Sequence, residues 1–363
     1  MNYSVNVPAS ICLAVVFLLY GGAVNGQSPQ QKTTDSPPAP PRVKKDRPAR
    51  ELPLKPTVLA NLLGVKTAED YPYIDGSTSA LPLVQGIYRQ MFAVPLFGKN
   101  TNNRFGFPRE VSKTVPAYEK LIAGEVDLIF GPDPSEDIKQ LAADAGVELE
   151  WVQIGADALV FITSGKNPVK GITTEQIVNI YSDGSITNWA DLGGKDGRLV
   201  ALVRNKDSGS HGQLENLVLK GKPVHPGFQE HNARRVIRGM SSILMGVDGY
   251  DGTVEAGAEN DYTLGYTVFY YLQAQQRERQ KDRQKPLDIK TLAVDGVTPM
   301  PETIASGEYK LAIGCYAIIR KDEPADSPTR KMVAWLTSDK GQQTVKNAGL
   351  GTVKPVTEKA SKK

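Results

Sequence analysis

The sequence predicts an α/β fold, because from about residue 59 onward short apolar runs alternate with segments of helical periodicity. The chain has 363 residues, of which 40% are hydrophobic, which is enough for one large domain or for two lobes. Three polar loops also follow predicted strands and precede predicted helices. The alternation of strands with helices favours largely parallel sheets.

The first 58 residues differ from the rest of the chain in composition. Residues 9–25, ASICLAVVFLLYGGAVN, form an apolar run followed by small residues, which is typical of a secretory signal peptide cleaved near Ala23 or Gly26. An uncleaved anchor is the alternative, although the run is short for a membrane span. Residues 27–58 are rich in proline, glutamine and charge, so we expect a disordered linker there. We therefore expect a signal peptide at 1–26 and a periplasmic or secreted protein.

The elements of the α/β part follow from short patterns. Runs predicted as strands are VDLIFG (126–131), LVFITS (159–164), RLVALV (198–203) and KLAIGCYAIIR (310–320). Segments predicted as helices are LVQGIYRQMF (83–92), the segment that begins near Thr114 and ends at Gly124, and TTEQIVNIYSDG (173–184). One or two further helices are expected over residues 327–349, and YTVFYYL (266–272) is expected to be a strand that leads into a helix.

Charge, cysteine and histidine content argue against a nucleic-acid partner, an internal disulfide and a metal site. The formal net charge is +3, but residues 27–58 carry +4 and the basic tail at 354–363 carries +3, so residues 59–353 are at about −4. This gives no reason to expect a nucleic-acid partner. After signal cleavage only Cys315 remains, so no internal disulfide is possible and a buried thiol is expected. We predict no cofactor and no metal site, because His225 and His231 lie in a proline-containing segment typical of a loop.

Three strand–loop–helix corners carry the polar residues that we predict to bind a ligand. Each corner by itself is typical of ordinary helix capping. Together they offer hydroxyl groups, an arginine and a glycine that permits close backbone approach, which are the donors that an oxyanion needs. The candidate residues are Ser77, Thr78 and Ser79 on the first corner, Thr114 and Asp133 on the second, and Arg204, Ser208, Gly209 and Ser210 on the third.

The chain resembles phosphate-binding proteins of ABC uptake systems, within the type II periplasmic binding-protein superfamily. The motifs that carry the resemblance, between about residues 71 and 353, include DGSTSALPL, TVPAYEKLIAGEVDLIFGPDPSED, RNKDSGS and ETIASGEYKLAIGCYAIIRKDEP. The resemblance implies that Arg204, Ser208, Gly209 and Ser210 bind the ligand from one lobe, and that the turn at 77–79, Asp133 and a hydroxyl before the second helix bind it from the other. Thr114 is the best match for that hydroxyl, with Ser112 as the alternative.

The resemblance also implies an architecture and a partner. Lobe one would comprise residues 59–157 and 265–353, and lobe two residues 158–264, with the ligand in the cleft between the two lobes. Hinge closure would bury the ligand. The function implied is capture of inorganic phosphate by a monomer for an ABC permease in the membrane.

Asp133 predicts a preference for phosphate over sulfate. Phosphate carries at least one proton at neutral pH, and a carboxylate can accept a hydrogen bond from it. Sulfate has no proton to donate, so it would face the Asp133 carboxylate as an unpaired like charge. This repulsion would weaken sulfate binding by several kcal/mol. This interpretation requires that the Asp133 side chain points into the site and does not simply cap the following helix.

Three alternatives remain open at the level of sequence. Another oxyanion, such as sulfate or molybdate, or an organophosphate could occupy the same fold. A phosphate-binding surface or signalling protein could use the fold without transport. A serine hydrolase is the alternative of a different class, because SGSHG resembles a nucleophile elbow with Ser210 as the nucleophile, although His211 is its direct neighbour in the chain.

Overall fold

A strand of 16 residues, Leu149–Ser164, lies in the main sheet of the described part of the chain and pairs with different strands along its length. The computed structural model describes residues 55–67, 69–93, 107–228, 236–248 and 260–353. The predicted signal peptide, residues 27–54 of the predicted linker and the basic tail lie outside the described residues. Among the helices within these ranges, none has the length and apolar character needed to cross a membrane.

Helices and strands alternate along the described chain. The helices are α1 (Val58–Leu62), α2 (Leu81–Met91), α3 (Thr114–Ile122), α4 (Glu136–Asp144), α5 (Thr174–Val178), α6 (Gly209–Gln213), α7 (Met240–Asp248), α8 (Phe269–Lys281), α9 (Pro301–Ala305), α10 (Pro328–Leu336) and α11 (Asp339–Asn347). The strands are β1 (Ile74–Gly76), β2 (Leu128–Gly131), β3 (Leu149–Ser164), β4 (Gly171–Ile172), β5 (Leu199–Ala201), β6 (Val203–Arg204), β7 (Val236–Ile237), β8 (Tyr262–Val268), β9 (Ile289–Thr291), β10 (Ala293–Val294), β11 (Ala312–Arg320) and β12 (Gly351–Thr352).

Local sequence signals account for where many of these elements begin and end. Thr173 caps α5 through a capping box with Gln176, and the π-helical turn that continues α5 ends at Gly184, whose φ of 69° suits glycine. The predicted strands and helices are confirmed, with two differences. RLVALV divides at Leu202 into β5 and β6, and β3 begins at Leu149 instead of Leu159. The first residues of β3 are only partly buried, so no continuous apolar run marks them.

The sheets are mixed, so the expectation of largely parallel sheets is wrong for the central strands. The main sheet has the order β1-β2-β11-β3-β8-β5, and β9 and β12 also pair with β3. The pairs β1–β2 and β5–β8 are parallel, whereas every pairing of β3 is antiparallel. The first part of β3 pairs with β11 and the last part with β8, because β3 passes through both halves of the sheet and these neighbours return in the opposite direction.

The buried apolar residues form separate cores along β3. One core surrounds the last part of β3 and includes Phe161, Tyr181 and Tyr266. A second core surrounds β2 and the first part of β3 and includes Phe130 and Ile154, and a third lies under α3 and α4. The first core also contains residues from 269 to 311, which our predicted boundaries assign to lobe one. The boundaries of the lobes remain a prediction.

Candidate functional site

The three predicted corners meet around one small cavity. Its volume is about 30 Å³, and by the same measure one water molecule needs about 10–15 Å³. The cavity is therefore the size of a small ion. Eight of the nine predicted ligand residues line it, and Asp133 does not; the lining residues are Ser77, Thr78, Ser79, Lys113, Thr114, Gly131, Pro132, Asp157, Arg204, Ser208, Gly209, Ser210, Met240, Val268, Ile313, Gly314, Cys315 and Leu350.

The first corner is held against strand β2. The backbone N–H of Ser77 donates to Phe130 O at 2.8 Å, and the Ser77 and Ser79 hydroxyl groups are 3.0 Å apart. Gly76 lies so close to the Phe130 backbone that a Cβ at this position would overlap it. Glycine is therefore required where β1 ends, and it lets the hydroxyl-bearing turn pack tightly at the cavity wall.

The second corner presents an unpartnered hydroxyl group. Thr114 begins α3, is 7% exposed, and its Oγ1 has no hydrogen-bond partner among the described residues. Ser112, the alternative, is already engaged: its N–H donates to Asp75 Oδ1 at 2.7 Å, and Lys120 Nζ donates to its Oγ. Ser112 also does not line the cavity. The geometry thus favours Thr114 as the hydroxyl of this corner.

Arg204 is a buried cation with one unused nitrogen. The residue is 3% exposed. Its Nε donates to Ile237 O at 3.1 Å and its Nη2 to Arg238 O at 3.3 Å, whereas Nη1 has no partner among the described residues. Burial lowers the pKa of the Arg204 guanidinium, yet arginine keeps its charge in proteins. A buried, charged donor without a partner is costly, so this position suits an anion.

The third corner closes against the second. The hydroxyl groups of Ser208 and Ser210 are 2.9 Å apart, and both residues are buried. A Cβ at Gly209 would overlap Thr114 Oγ1 and would lie 3.4 Å from the Pro132 side chain. Gly209 is therefore one point at which the two sides of the site lie in close contact.

His211 does not activate Ser210. Its Nδ1 lies 3.0 Å from the Tyr266 hydroxyl, and its Nε2 lies 3.5 Å from Glu215 Oε1, so both ring nitrogens face other partners. The Tyr266 hydroxyl accepts from the Arg204 backbone N–H at 2.8 Å. His211 thus supports the backbone behind the cavity. Among the described residues, Ser210 has no hydrogen bond to a histidine base of the kind that a serine hydrolase uses.

Asp133 lies outside the small cavity. It is exposed and lines a larger neighbouring cavity. Its carboxylate hydrogen-bonds with the Tyr316 hydroxyl, whose pKa is raised first by burial and then by this contact. Its backbone carbonyl accepts from Gln213 Nε2 at 3.2 Å. The role assigned to Asp133 from sequence stays a prediction, and the orientation in this structure does not favour it.

Asp157 is the cavity residue that sequence reasoning missed. It lies on β3, is 4% exposed, and is the one carboxylic acid among the described residues that line the cavity. Its Oδ1 accepts from the N–H groups of Ala158 at 2.8 Å and Tyr270 at 3.0 Å. Burial raises the pKa of Asp157 to about 7. A single acidic residue within the apolar segment GADALVFI was the signal that could have revealed it.

Two more of the unpredicted lining residues, Cys315 and Lys113, have features that bear on the site. Cys315 is buried as expected, but it lies at the cavity, where burial raises the pKa of its thiol to about 12. Lys113 has φ 80° and ψ 173°, a conformation that residues other than glycine rarely adopt. Strain of this kind clusters at ligand sites, and here it sets the direction in which the chain enters α3 at Thr114.

Replacing Lys113 by glycine should stabilise the ligand-free protein. Lys113→Gly removes backbone strain at the cost of chain entropy, and we expect a net gain of about 1 kcal/mol in the free energy of unfolding. Urea unfolding of the ligand-free chain measures it. Lys166→Gly is the matched control, because Lys166 is exposed and does not have a positive φ, and it should lose stability. Equal losses in both variants would show that Lys113 is unstrained.

Known proteins match this chain over most of its described part. The sequence pattern of a family described as a PBP superfamily domain matches residues 66–340, more than half of the chain. The phosphate-binding protein PstS of Borreliella burgdorferi is 26% identical over 199 residues, and that of Bacillus subtilis is 23% identical over 223 residues. Each match covers 54% of this chain, and the chain spans 64% of the length of these relatives.

Solved structures show the same fold at low sequence identity. A Clostridium perfringens structure with bound phosphate, described as a phosphate ABC transporter substrate-binding protein, has a TM-score of 0.55 at 24% identity. An ABC-type phosphate transport receptor from Vibrio cholerae has a TM-score of 0.53 at 19% identity. Both alignments cover 77% of this chain and 98% of the other. The mixed α/β architecture is that of type II periplasmic binding proteins, and the chain belongs to the PBP superfamily.

Proposed function

We propose that this protein binds inorganic phosphate in the cavity between its three corners, as an extracytoplasmic solute-binding protein. The observation that carries the proposal is a pair of buried donors, Arg204 Nη1 and Thr114 Oγ1, that line one cavity and have no partner among the described residues. Buried polar groups are nearly always hydrogen-bonded. A bound oxyanion would satisfy both donors at once.

The chemistry of the lining favours an oxyanion over other ligands. The donors comprise one guanidinium and the hydroxyl groups of the three corners, and a hydroxyl or guanidinium group gives its strongest hydrogen bonds to an ionised acceptor. The remaining walls include the buried apolar side chains of Met240, Val268 and Leu350. Charge-assisted hydrogen bonds are stronger in such a site than in water.

The size of the cavity favours a bare inorganic ion. A volume of about 30 Å³ matches the space of a few water molecules. An organophosphate would need the cleft to stay open around its organic group. The names of the relatives, phosphate-binding proteins PstS, support phosphate among the inorganic ions.

Delivery to a membrane permease is the role that suits such a binding protein. We propose that the chain acts outside the cytoplasm as a monomer, after removal of residues 1–26, and passes phosphate to an ABC permease. A phosphate-binding surface or signalling protein would have the same site. Deletion of the coding sequence distinguishes the two, because only the transport role predicts loss of phosphate uptake.

Calorimetric titration of the full chain tests the proposal directly. We expect one phosphate per chain with a Kd in the micromolar range or below, because several charge-assisted hydrogen bonds form with buried donors. Absence of binding to phosphate would overturn the proposal. A chromogenic ester assay on the same preparation tests the serine hydrolase alternative, for which we expect no turnover above that of a Ser210→Ala variant.

A further inference from the structure

A buried carboxylate lies behind the first and second corners, outside the small cavity. Asp75 is the second residue of β1, is buried and does not line the cavity. Its Oδ1 accepts from the backbone N–H of Gly76 at 2.8 Å and from that of Ser112 at 2.7 Å. One oxygen atom therefore joins the strand that leads into the first corner to the segment that leads into the second.

The other carboxylate oxygen extends this connection to the body of helix α3. Lys120, in the last turn of α3, donates from Nζ to Asp75 Oδ2 at 3.3 Å and also to Ser112 Oγ. The same cluster therefore holds the helix and the residue two positions before its start. Thr114, the first residue of α3, lies between these two anchors.

This restraint explains how a strained residue is kept beside Thr114. Lys113 has a φ of 80° and lies between Ser112 and Thr114. Such a conformation persists only when the surrounding structure over-determines it. Ser112 is fixed on one side by Asp75, and on the other side the N–H of Ala117 donates to Lys113 O at 3.1 Å. Without the bonds of Asp75, relaxation at Lys113 would reorient the first turn of α3 and move the Thr114 hydroxyl.

We propose that Asp75 is a positioning residue for ligand binding, which acts through Ser112 to keep the Thr114 hydroxyl at the cavity. The inference rests on the proposed phosphate site. The charge of Asp75 alone predicts the opposite effect, because a carboxylate behind an anion site opposes binding and its removal would strengthen it. The sign of the change in affinity therefore separates positioning from electrostatic repulsion.

A double-mutant cycle, read by phosphate titration of the full chain, tests the role of Asp75. We expect Asp75→Ala and Thr114→Val each to weaken phosphate binding about tenfold, since valine keeps the shape of threonine but lacks the hydroxyl. The double variant should bind no more than about threefold more weakly than Thr114→Val, because no hydroxyl is left to position. Asp75→Asn keeps an oxygen for the two N–H groups and should recover most of the affinity.

Asp70→Ala is the matched control. The Asp70 carboxylate also accepts from backbone N–H groups, those of Lys66 and Thr67, but in a turn that does not line the cavity. This variant should leave phosphate affinity unchanged. Tighter or unchanged binding by Asp75→Ala, or an additive loss of about a hundredfold in the double variant, would overturn the role of Asp75 while phosphate binding itself still supports the proposed function. Failure of the unaltered protein to bind phosphate would overturn both.

If Asp75→Ala does not fold, Lys120→Met replaces it in the cycle. The Lys120 side chain is 41% exposed, and methionine is an unbranched residue that suits a helix. We expect a loss of about threefold that is absent in the Thr114→Val background. A loss of equal size in both backgrounds would show that Lys120 acts through its charge alone, and it would overturn the inference.

Discussion

Arg204→Ala should weaken phosphate binding by about 10²–10³-fold, because one or two charge-assisted hydrogen bonds of about 1.5–3 kcal/mol each are lost. Arg204 is 3% exposed, and its Nη1 has no partner among the described residues. Solvent therefore screens its attraction for a bound anion only weakly. Calorimetric titration of phosphate measures the loss. Circular dichroism should show an unchanged fold, since the other nitrogens bond only the Ile237 and Arg238 carbonyls.

Two variants separate the geometry of Arg204 from its charge. Arg204→Lys retains the charge but cannot make the forked contact, so we expect a loss smaller than that of alanine but still at least tenfold. Arg198→Ala removes a half-exposed cation that pairs with Asp261 away from the cavity, and it should leave binding unchanged. Equal binding by Arg204→Ala and the unaltered protein would refute the site.

Gly209→Ala should prevent the site from closing and reduce phosphate affinity by about two orders of magnitude, equivalent to about 2.7 kcal/mol. The added methyl group would overlap Thr114 Oγ1 and contact Pro132, both on the other side of the cavity. Relief requires the Thr114 hydroxyl to rotate out of its place at the cavity or the two sides to separate, and separation breaks the Gln213 hydrogen bond to the Asp133 carbonyl. The measurements are phosphate titration and small-angle scattering with and without phosphate, where we expect no compaction in the variant.

Gly212→Ala is the matched control for this experiment. Gly212 lies on the same helix, and a Cβ there would meet no atom within 4 Å. Its φ is not positive, so alanine suits the helix there and should slightly raise stability. Unchanged phosphate affinity in both variants would show that closure at Gly209 is not needed for binding.

Particular residues show how far the sequence predicts this fold. Helix α5 was predictable because Thr173, Gln176 and Gly184 are local signals whose effect does not depend on the rest of the chain. The beginning of β3 was not, because its partly buried residues carry no continuous apolar run. The antiparallel centre of the sheet was also missed, since strand direction depends on how distant segments return to β3.

For the site, the sequence by itself determined which corners could bind an anion: Ser77, Thr114, Arg204 and Gly209 stand in loops whose composition already shows the chemistry. Only the tertiary structure decided which carboxylic acid lines the small cavity. Asp133 turns to Tyr316, whereas Asp157, inside an apolar strand, reaches the cavity wall. The reason is physical: residue type sets the hydrogen bonds that a side chain can make, but its direction and burial, and hence its pKa, depend on neighbours that are distant in the chain.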